Sequence, residues 1–272
     1  MKLGYIDYLN CYPFYHHMFR KEPLDNTIVP RYPGELNLLM KEGGLDMSPI
    51  SAGAYPGMQE NVVLLPDFCL SSIGYVRSVV LQSKLPIEDL NGKKTGLTSA
   101  SKTSMVILKI LLEKYYHLKP EYVPSAPNPD MENIDAALVI GNEAMVESER
   151  PLPYIYDLGD LWLRKTGYPV VFAVIAVQKK TAAERFEKVL EVSESFKLSL
   201  NDLRNNRRDV VKYAGEKYPH ITYDIDHYYN LLKFDFTGDL KEALEFYFTE
   251  AASLGLLENV EKINFLDINT GI

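Results

Sequence analysis

The stretch Gly96–Met105, GLTSASKTSM, sets five hydroxyls around one cation: Thr98, Ser99, Ser101, Thr103 and Ser104 around Lys102. An apolar run with helical spacing follows it. A strand ending near Leu97 and helical spacing from about Met105 make Thr98–Ser104 a strand-to-helix turn. Such a turn presents backbone N–H groups without intrahelical partners, together with the positive end of the helix dipole. Capping that helix needs one Ser or Thr. Five hydroxyls and an ammonium exceed the need and suit a cradle for an anion. The glycine spacing of a phosphate-binding P-loop is missing.

Other polar residues fall where strands end. Asn10 follows the first apolar strand pattern, Ser48 and Ser51 lie at or near the end of the third, and Gly141 and Asn142 close ALVIGN. Ligands in open α/β sheets gather beyond the carboxyl ends of the strands, so these residues predict a small-molecule site rich in uncharged donors. Arg77 lies in the apolar run GYVRSVVL. It reads either as an edge-strand arginine with its head in water or as a carboxylate-binding arginine. The five histidines form no metal-ligand pattern. His16 and His17 are adjacent, and helical neighbours point ~100° apart. No nucleophile elbow or catalytic triad is visible, so no catalytic residue is assigned. Trp162, the single tryptophan, reads as a packing residue.

The elements that must hold these residues alternate. KLGYIDYL predicts a strand, NCYPFYHHMF a turn entering a helix with Pro13 in its first turn, and NTIVPRY a second strand. PGELNLLMKEGG predicts a helix opened by proline and closed by glycine, LDMSPIS a third strand, and AGAYPGM a short helix or loop. Alternation of this kind predicts a mainly parallel sheet. The phrase GLDMSPISAGAY, with Asp46, returns about ninety residues later as NIDAALVIGNEAM, with Asp135. The repeat predicts two lobes of related build. Ile73–Lys84 and Tyr168–Lys180 read either as central strands or as crossover strands between the lobes. The second reading divides the chain into lobe one, residues 1–76 plus 178–272, and lobe two, residues 77–177. Beyond Lys180, Phe186, Val189, Leu190, Ser193, Phe196, Leu200 and Leu203 predict an amphipathic helix. Leu240, Ala243, Leu244, Tyr247 and Ala251 predict another, stopped at Gly255. PSAPNPDMEN reads as a surface loop.

Length and composition set outer limits. A chain of 272 residues with 46% hydrophobic and 24% charged residues is ordinary for a globular protein of one large or two medium domains. A net charge of −8 argues against general nucleic-acid binding. Cys11 and Cys69 have no metal-type spacing and read as reduced thiols. The opening residues read as strand and loop rather than leader, and no run reaches ~18 apolar residues. The expectation is a cytoplasmic protein without membrane or nucleic-acid partners, its oligomeric state open.

Five stretches occur in an order that carries a resemblance: IDYLNCYPFYHHM, FCLSSIGYVRSVVLQSKLP, TSASKTSMVILKILL, AALVIGNEAM and YDLGDLWLRKTGYPVVFAV. From about Gly4 to Val177 the chain resembles the chorismate dehydratases of the futalosine route to menaquinone. The resemblance implies an α/β, two-lobe type II periplasmic-binding-protein fold with two crossover strands and substrate held between the lobes. It implies a lyase that removes water from chorismate, a dianion, to leave 3-[(1-carboxyvinyl)oxy]benzoate without metal or organic cofactor. By similarity Asn10, Ser72, Ser101, Thr103, Ser104 and Asn142 line the site. With Ser51, Arg77, Ser99 and Lys102 they make up the expected substrate-binding set. The chain departs from the family at three places: Lys102 stands where Arg is usual, Asn142 where Asp is usual, and Thr98 where an acid is usual. Lysine keeps the charge of arginine without its bidentate fork. Three other readings share the fold: 1,4-dihydroxy-6-naphthoate synthase, a non-catalytic solute-binding protein and a ligand sensor.

Overall fold

A computed structural model describes residues 1–146 and 151–267. The chain opens with β1 (Lys2–Ile6), α1 (Tyr12–Arg20), β2 (Thr27–Arg31), α2 (Pro33–Lys41), β3 (Met47–Ser51) and the long β4 (Val62–Ser72). A second group follows: β5 (Val79–Ser83), β6 (Lys94–Thr98), α3 (Lys102–Ile110), β7 (Glu121–Ser125), β8 (Ala136–Ile140), β9 (Tyr154–Asp157) and α4 (Leu158–Thr166). The chain then returns through β10 (Val170–Gln178), α5 (Lys179–Glu184), α6 (Phe186–Asn205), α7 (Arg207–Lys217), α8 (Ile225–Leu231), β11 (Leu232–Asp235) and α9 (Gly238–Ser253).

Two sheets result, in the orders β11-β4-β10-β3-β1-β2 and β7-β6-β8-β5-β9. In each, a parallel trio (β2-β1-β3 and β7-β6-β8) meets an antiparallel strand, β10 or β5. Parallel neighbours need a crossover of a dozen or more residues, which the β-α-β spacing read from sequence supplies. The two-lobe α/β organisation expected from the repeated phrase is therefore present.

The path between lobes differs from expectation. Ile73–Lys84 is not one strand: residues 73–78 leave the first sheet as a series of bends, and β5 begins only at Val79. Gly74 and Arg77 both take positive φ (+78° and +68°) in that passage. The return crossing is shorter. Gly167, at φ +79°, ends α4, and Val170 already pairs with Ser72. All of β10 thus belongs to lobe one's sheet. Its unbroken apolar run, VVFAVIAV, fits a strand buried on both faces between β3 and β4. The central-strand reading holds for β10.

The lobes are pinned at the crossing side by aromatic packing. Trp162, fully buried on α4, meets Phe246 and Tyr247 of α9 edge-on at ring separations of 6.1 and 6.2 Å. Tyr168 stacks on Phe246 at 4.2 Å. Contacts of this kind contribute ~0.5–1.5 kcal/mol each beyond burial. The two amphipathic helices after Lys180 are α6 and α9, with Val189, Phe196, Leu200 and Leu203 buried on the first and Leu240, Leu244 and Tyr247 on the second. Gly255 follows α9 at φ +68°. No helix among the described residues is long and apolar enough to cross a membrane.

Candidate functional site

The turn that poses the chemical question is shorter than its sequence suggests. Strand β6 runs through Thr98 and α3 starts at Lys102, so only Ser99–Ser101 remain as turn. Helical spacing alone missed the first turn because polar residues fill it. Ser101 is the cap: its Oγ accepts the Ser104 N–H at 3.3 Å, and its hydroxyl also pairs with that of Ser104 at 3.0 Å. Residues three apart on a helix share a face. Ser101 and Ser104 accordingly turn together into a cavity between the lobes.

That cavity holds about 40 Å³ in which the centre of a water molecule fits, and none of its lining residues among those described carries a formal charge. Its polar edge is made by Tyr8, Asn10, Ser51, Ser78, Ser101 and Ser104; Leu70, Val79, Ile140 and Phe172 give it an apolar wall. The Asn10 Oδ1 atom is buried and has no hydrogen-bond partner in the described structure. An orphaned buried acceptor costs ~1–3 kcal/mol, and an incoming donor removes that cost. Two tyrosines of α8 stand behind these groups. The Tyr228 hydroxyl donates to Ser78 Oγ at 2.7 Å and adjoins the Asn10 carboxamide. The Tyr229 hydroxyl donates to the Leu9 carbonyl at 3.1 Å. Burial pushes the Tyr228 phenol far above its ordinary pKa, so it is a neutral hydrogen-bond donor.

The other expected residues scatter. Lys102, about 100° round the helix from Ser101, lines a separate open groove of about 540 Å³ with Asn37, Lys41 and Glu258. Lys102 is therefore not part of the interlobe cavity's lining. Thr103 bridges the lobes: its Oγ1 accepts from the Gly53 N–H at 3.0 Å and donates to the Phe172 carbonyl at 2.8 Å. Thr98 Oγ1 accepts from the Ala100 N–H at 3.2 Å, and Ser99 is exposed. Ser72 donates to the Gly74 carbonyl and Ser48 to the Pro49 carbonyl, both away from the cavity lining. Ser51 reaches the cavity while exchanging hydrogen bonds with Asn37.

Arg77 follows neither sequence reading. Its guanidinium donates to the Ala144 carbonyl at 2.6 Å and lies over the Tyr223 ring, 5.1 Å from its centre. Its backbone N–H, with that of Val76, is received by the Asp157 carboxylate. Asp157 also caps α4 through the Asp160 N–H at 3.0 Å. Burial raises its pKa, against the pull of those amide donors. His16, on α1, is buried beside Tyr12 and Tyr213, outside the cavity lining. Asn142 lines an outer pocket of about 430 Å³ at the cleft's mouth, with Glu143, Arg31 and Lys217. Its Oδ1 accepts the Leu9 N–H at 2.9 Å across the lobes.

Sequence reasoning missed Tyr8 and Ser78. Tyr8 sits two residues before Asn10 and reads as part of an apolar strand. Ser78 sits inside the run taken as continuous strand, and only the bend at 73–78 turns it inward.

Residues 1–253 match the family described as "Menaquinone biosynthesis". A chorismate dehydratase of Thermus thermophilus is 32% identical over 195 residues, 65% of this chain and 70% of that protein. A 1,4-dihydroxy-6-naphtoate synthase of Streptomyces coelicolor is 23% identical over 238 residues, 81% and 80% of the two chains. In fold, the periplasmic aliphatic sulphonate binding protein SsuA of Escherichia coli superposes with a TM-score of 0.66 at 14% identity, covering 100% of this chain and 96% of that one. The likeness bears out the binding-protein fold expected from sequence. With the match running from the first residue into α9, through both sheets and the cavity between them, the chain belongs to the menaquinone biosynthesis family.

Proposed function

We propose that this chain is a chorismate dehydratase: a lyase that removes water from chorismate to give 3-[(1-carboxyvinyl)oxy]benzoate in menaquinone biosynthesis, by the futalosine route and in the cytoplasm. The observation that carries the reading is the interlobe cavity, where Asn10, Ser78, Ser101 and Ser104 meet at the amino end of α3. In the reaction one ring C–H bond and the neighbouring C–O bond break, and the ring becomes aromatic. Aromatisation supplies the driving force, so the protein's task is to align the departing proton and hydroxyl and to stabilise developing negative charge.

The residues suit that task. Neutral hydroxyls, the carboxamide and the dipole of α3 favour a carboxylate without a buried cation, whose own desolvation is costly. Among the described residues, no carboxylate or imidazole lines the cavity. The proton acceptor in this proposal is therefore the substrate's enolpyruvyl carboxylate, and water leaves from the neighbouring carbon.

The test incubates the purified protein with chorismate and follows loss of substrate and appearance of the aromatic enol ether. Turnover supports the proposal. Binding without turnover, or activity only on cyclic dehypoxanthine futalosine, overturns it in favour of a binding protein or of the naphthoate synthase. Turnover by the doubly substituted His16→Gln, Glu143→Gln protein supports the substrate as base. Complete loss of turnover in that protein, when folded, overturns that part.

A further inference from the structure

The turn after β8 brings three consecutive residues of lobe two onto one turn of lobe one. Gly141 lies under the Tyr8 ring so closely that a Cβ there would stand 2.4 Å from a ring carbon. Asn142 Oδ1 accepts the Leu9 N–H. The Glu143 carboxylate lies near the Tyr8 hydroxyl, which has no hydrogen-bond partner among the described residues, and accepts from the Tyr32 hydroxyl at 3.4 Å. Tyr32 in turn meets the Tyr8 ring edge-on at 5.7 Å. Tyr8 lines both the inner cavity and the outer pocket, so its ring is the partition between them. Burial, with the nearby Glu143 carboxylate second, pushes the Tyr8 phenol far up in pKa, consistent with a neutral hydroxyl turned to that acid.

We infer that Gly141-Asn142-Glu143 is a closure latch: it holds the lobes together, seals the cavity behind Tyr8 and, through Leu9, positions Asn10 toward the substrate. Asn142 and Glu143 are positioning residues here, and neither touches the reacting atoms. Each of the three contacts spans the lobes and exists only when they are together. The Asn142 bond fixes the backbone immediately before Asn10, whose other support comes from Tyr228 and Tyr229 behind it. Asparagine meets the latch's need for an acceptor without placing a carboxylate beside the path of an anionic substrate. The role in catalysis rests on the chorismate reading; the latch itself does not.

Spin labels on cysteines substituted at exposed Glu42 in lobe one and Lys119 in lobe two measure the separation of the lobes, since native Cys11 and Cys69 are buried. Pulsed EPR distances are taken with and without chorismate, beside melting curves and steady-state kinetics. Wild type is expected to show a short-distance population that Asn142→Ala and Glu143→Ala each deplete, with melting temperature little changed. Glu143→Gln, which keeps an acceptor for the Tyr32 phenol, retains it. For the alanine variants KM is expected to rise about tenfold, the effect of one lost cross-lobe hydrogen bond. For Asn142→Ala kcat falls as well, because Asn10 loses its anchor. A wild type that shows only the long distance, with and without chorismate, overturns the latch. So does an Asn142→Ala protein that loses chorismate affinity with its distances unchanged, which makes Asn142 a ligand. Failure of chorismate to bind at all overturns the functional proposal alone, because the distances without it still report the latch.

Discussion

Lobe one and the core of lobe two are built to the same plan, and what they share lies at the opposite end of the strands from what they do not. Asp46 and Asp135 do one job twice. Asp46 accepts the Lys2 N–H at 2.7 Å and Asp135 the Lys94 N–H at 2.9 Å, each at the start of the adjoining parallel strand. Their backbones also make matching bonds to Lys2 and Lys94, and to Gln178 and Lys84 on the antiparallel side. Both parallel edge strands carry a proline in the same register, Pro30 opposite Tyr5 and Pro124 opposite Leu97. Proline lacks a ladder donor and blunts an edge against further pairing.

At the carboxyl ends the two lobes diverge. The turn before α1 offers Tyr8 and Asn10 and no side-chain cap, whereas the turn before α3 offers Ser101 as cap and Ser104 beside it. The repeated positions are those that hold strands in register. The divergent ones face the cavity. The shared positions supply the frame, and the asymmetry lies at the end of it that faces the cavity.

The largest expected effect comes from blocking the meeting of those divergent ends. Gly34 of α2 donates its N–H to the Ala100 carbonyl, and a Cβ there would stand 2.3 Å from the Ser99 carbonyl oxygen. Gly34→Ala should favour the helix itself by ~1 kcal/mol yet keep the lobes apart. Turnover should fall about 100-fold or more, equivalent to ~2.7 kcal/mol of transition-state stabilisation, with thermal stability retained. An active Gly34→Ala enzyme would show that closure at this seam is dispensable.

Removing the repeated aspartates should cost stability unequally. Asp46 also receives the Thr181 hydroxyl and lies 3.6 Å from Arg185, while among the described residues Asp135 has only the strand amide as a side-chain bond. In urea titrations Asp46→Ala should lose ~2 kcal/mol and Asp135→Ala ~1 kcal/mol. Equal losses would break the claim that lobe one's added elements lean on its aspartate.

A smaller contrast lies within α3. Ser101→Ala should cost ~1 kcal/mol of stability through the lost cap and also lower turnover, since the hydroxyl faces the cavity. Lys102→Met, in the separate groove, should change kcat/KM by less than about threefold, below ~0.7 kcal/mol. A Lys102 effect as large as that of Ser101 would restore the cation to the site.

The smallest effect separates the first helices of the lobes. Burial holds the His16 imidazole on α1 below its ordinary range, whereas the buried face of α3 has no titratable group. As pH falls below about 6.5, the usual histidine value, the unfolded chain takes up a proton that the folded one refuses. Stability is thus full above that value and declines as pH falls through the window between the two pKa values. Urea midpoints at pH 7.5 and 5.5 should show a larger drop for wild type than for His16→Gln.

Much of the fold was legible in the sequence. The helix openings at Pro13 and Pro33, the repeat around Asp46 and Asp135, and the apolar faces of α6 and α9 all correspond to local spacing that the structure reproduces. The site was legible in part. Asn10, Ser51, Ser101 and Ser104 face the cavity, but Lys102, Thr103 and Arg77 do not. The first turn of α3 carries too few apolar residues for periodicity to locate its start. A one-residue change in that start decides which side chains share a face.

The sequence by itself determined the alternation of strand and helix, the duplicated plan and the family, because periodicity, caps and ordered motifs act over a few residues at a time. Only the tertiary structure decided which hydroxyls face the cavity and which bridge the lobes. That choice depends on a second surface meeting the first: Thr103 answers to Gly53 and Phe172, Asn142 to Leu9, and Tyr8 to Gly141. Those partners lie fifty to more than a hundred residues away, beyond the reach of any local rule.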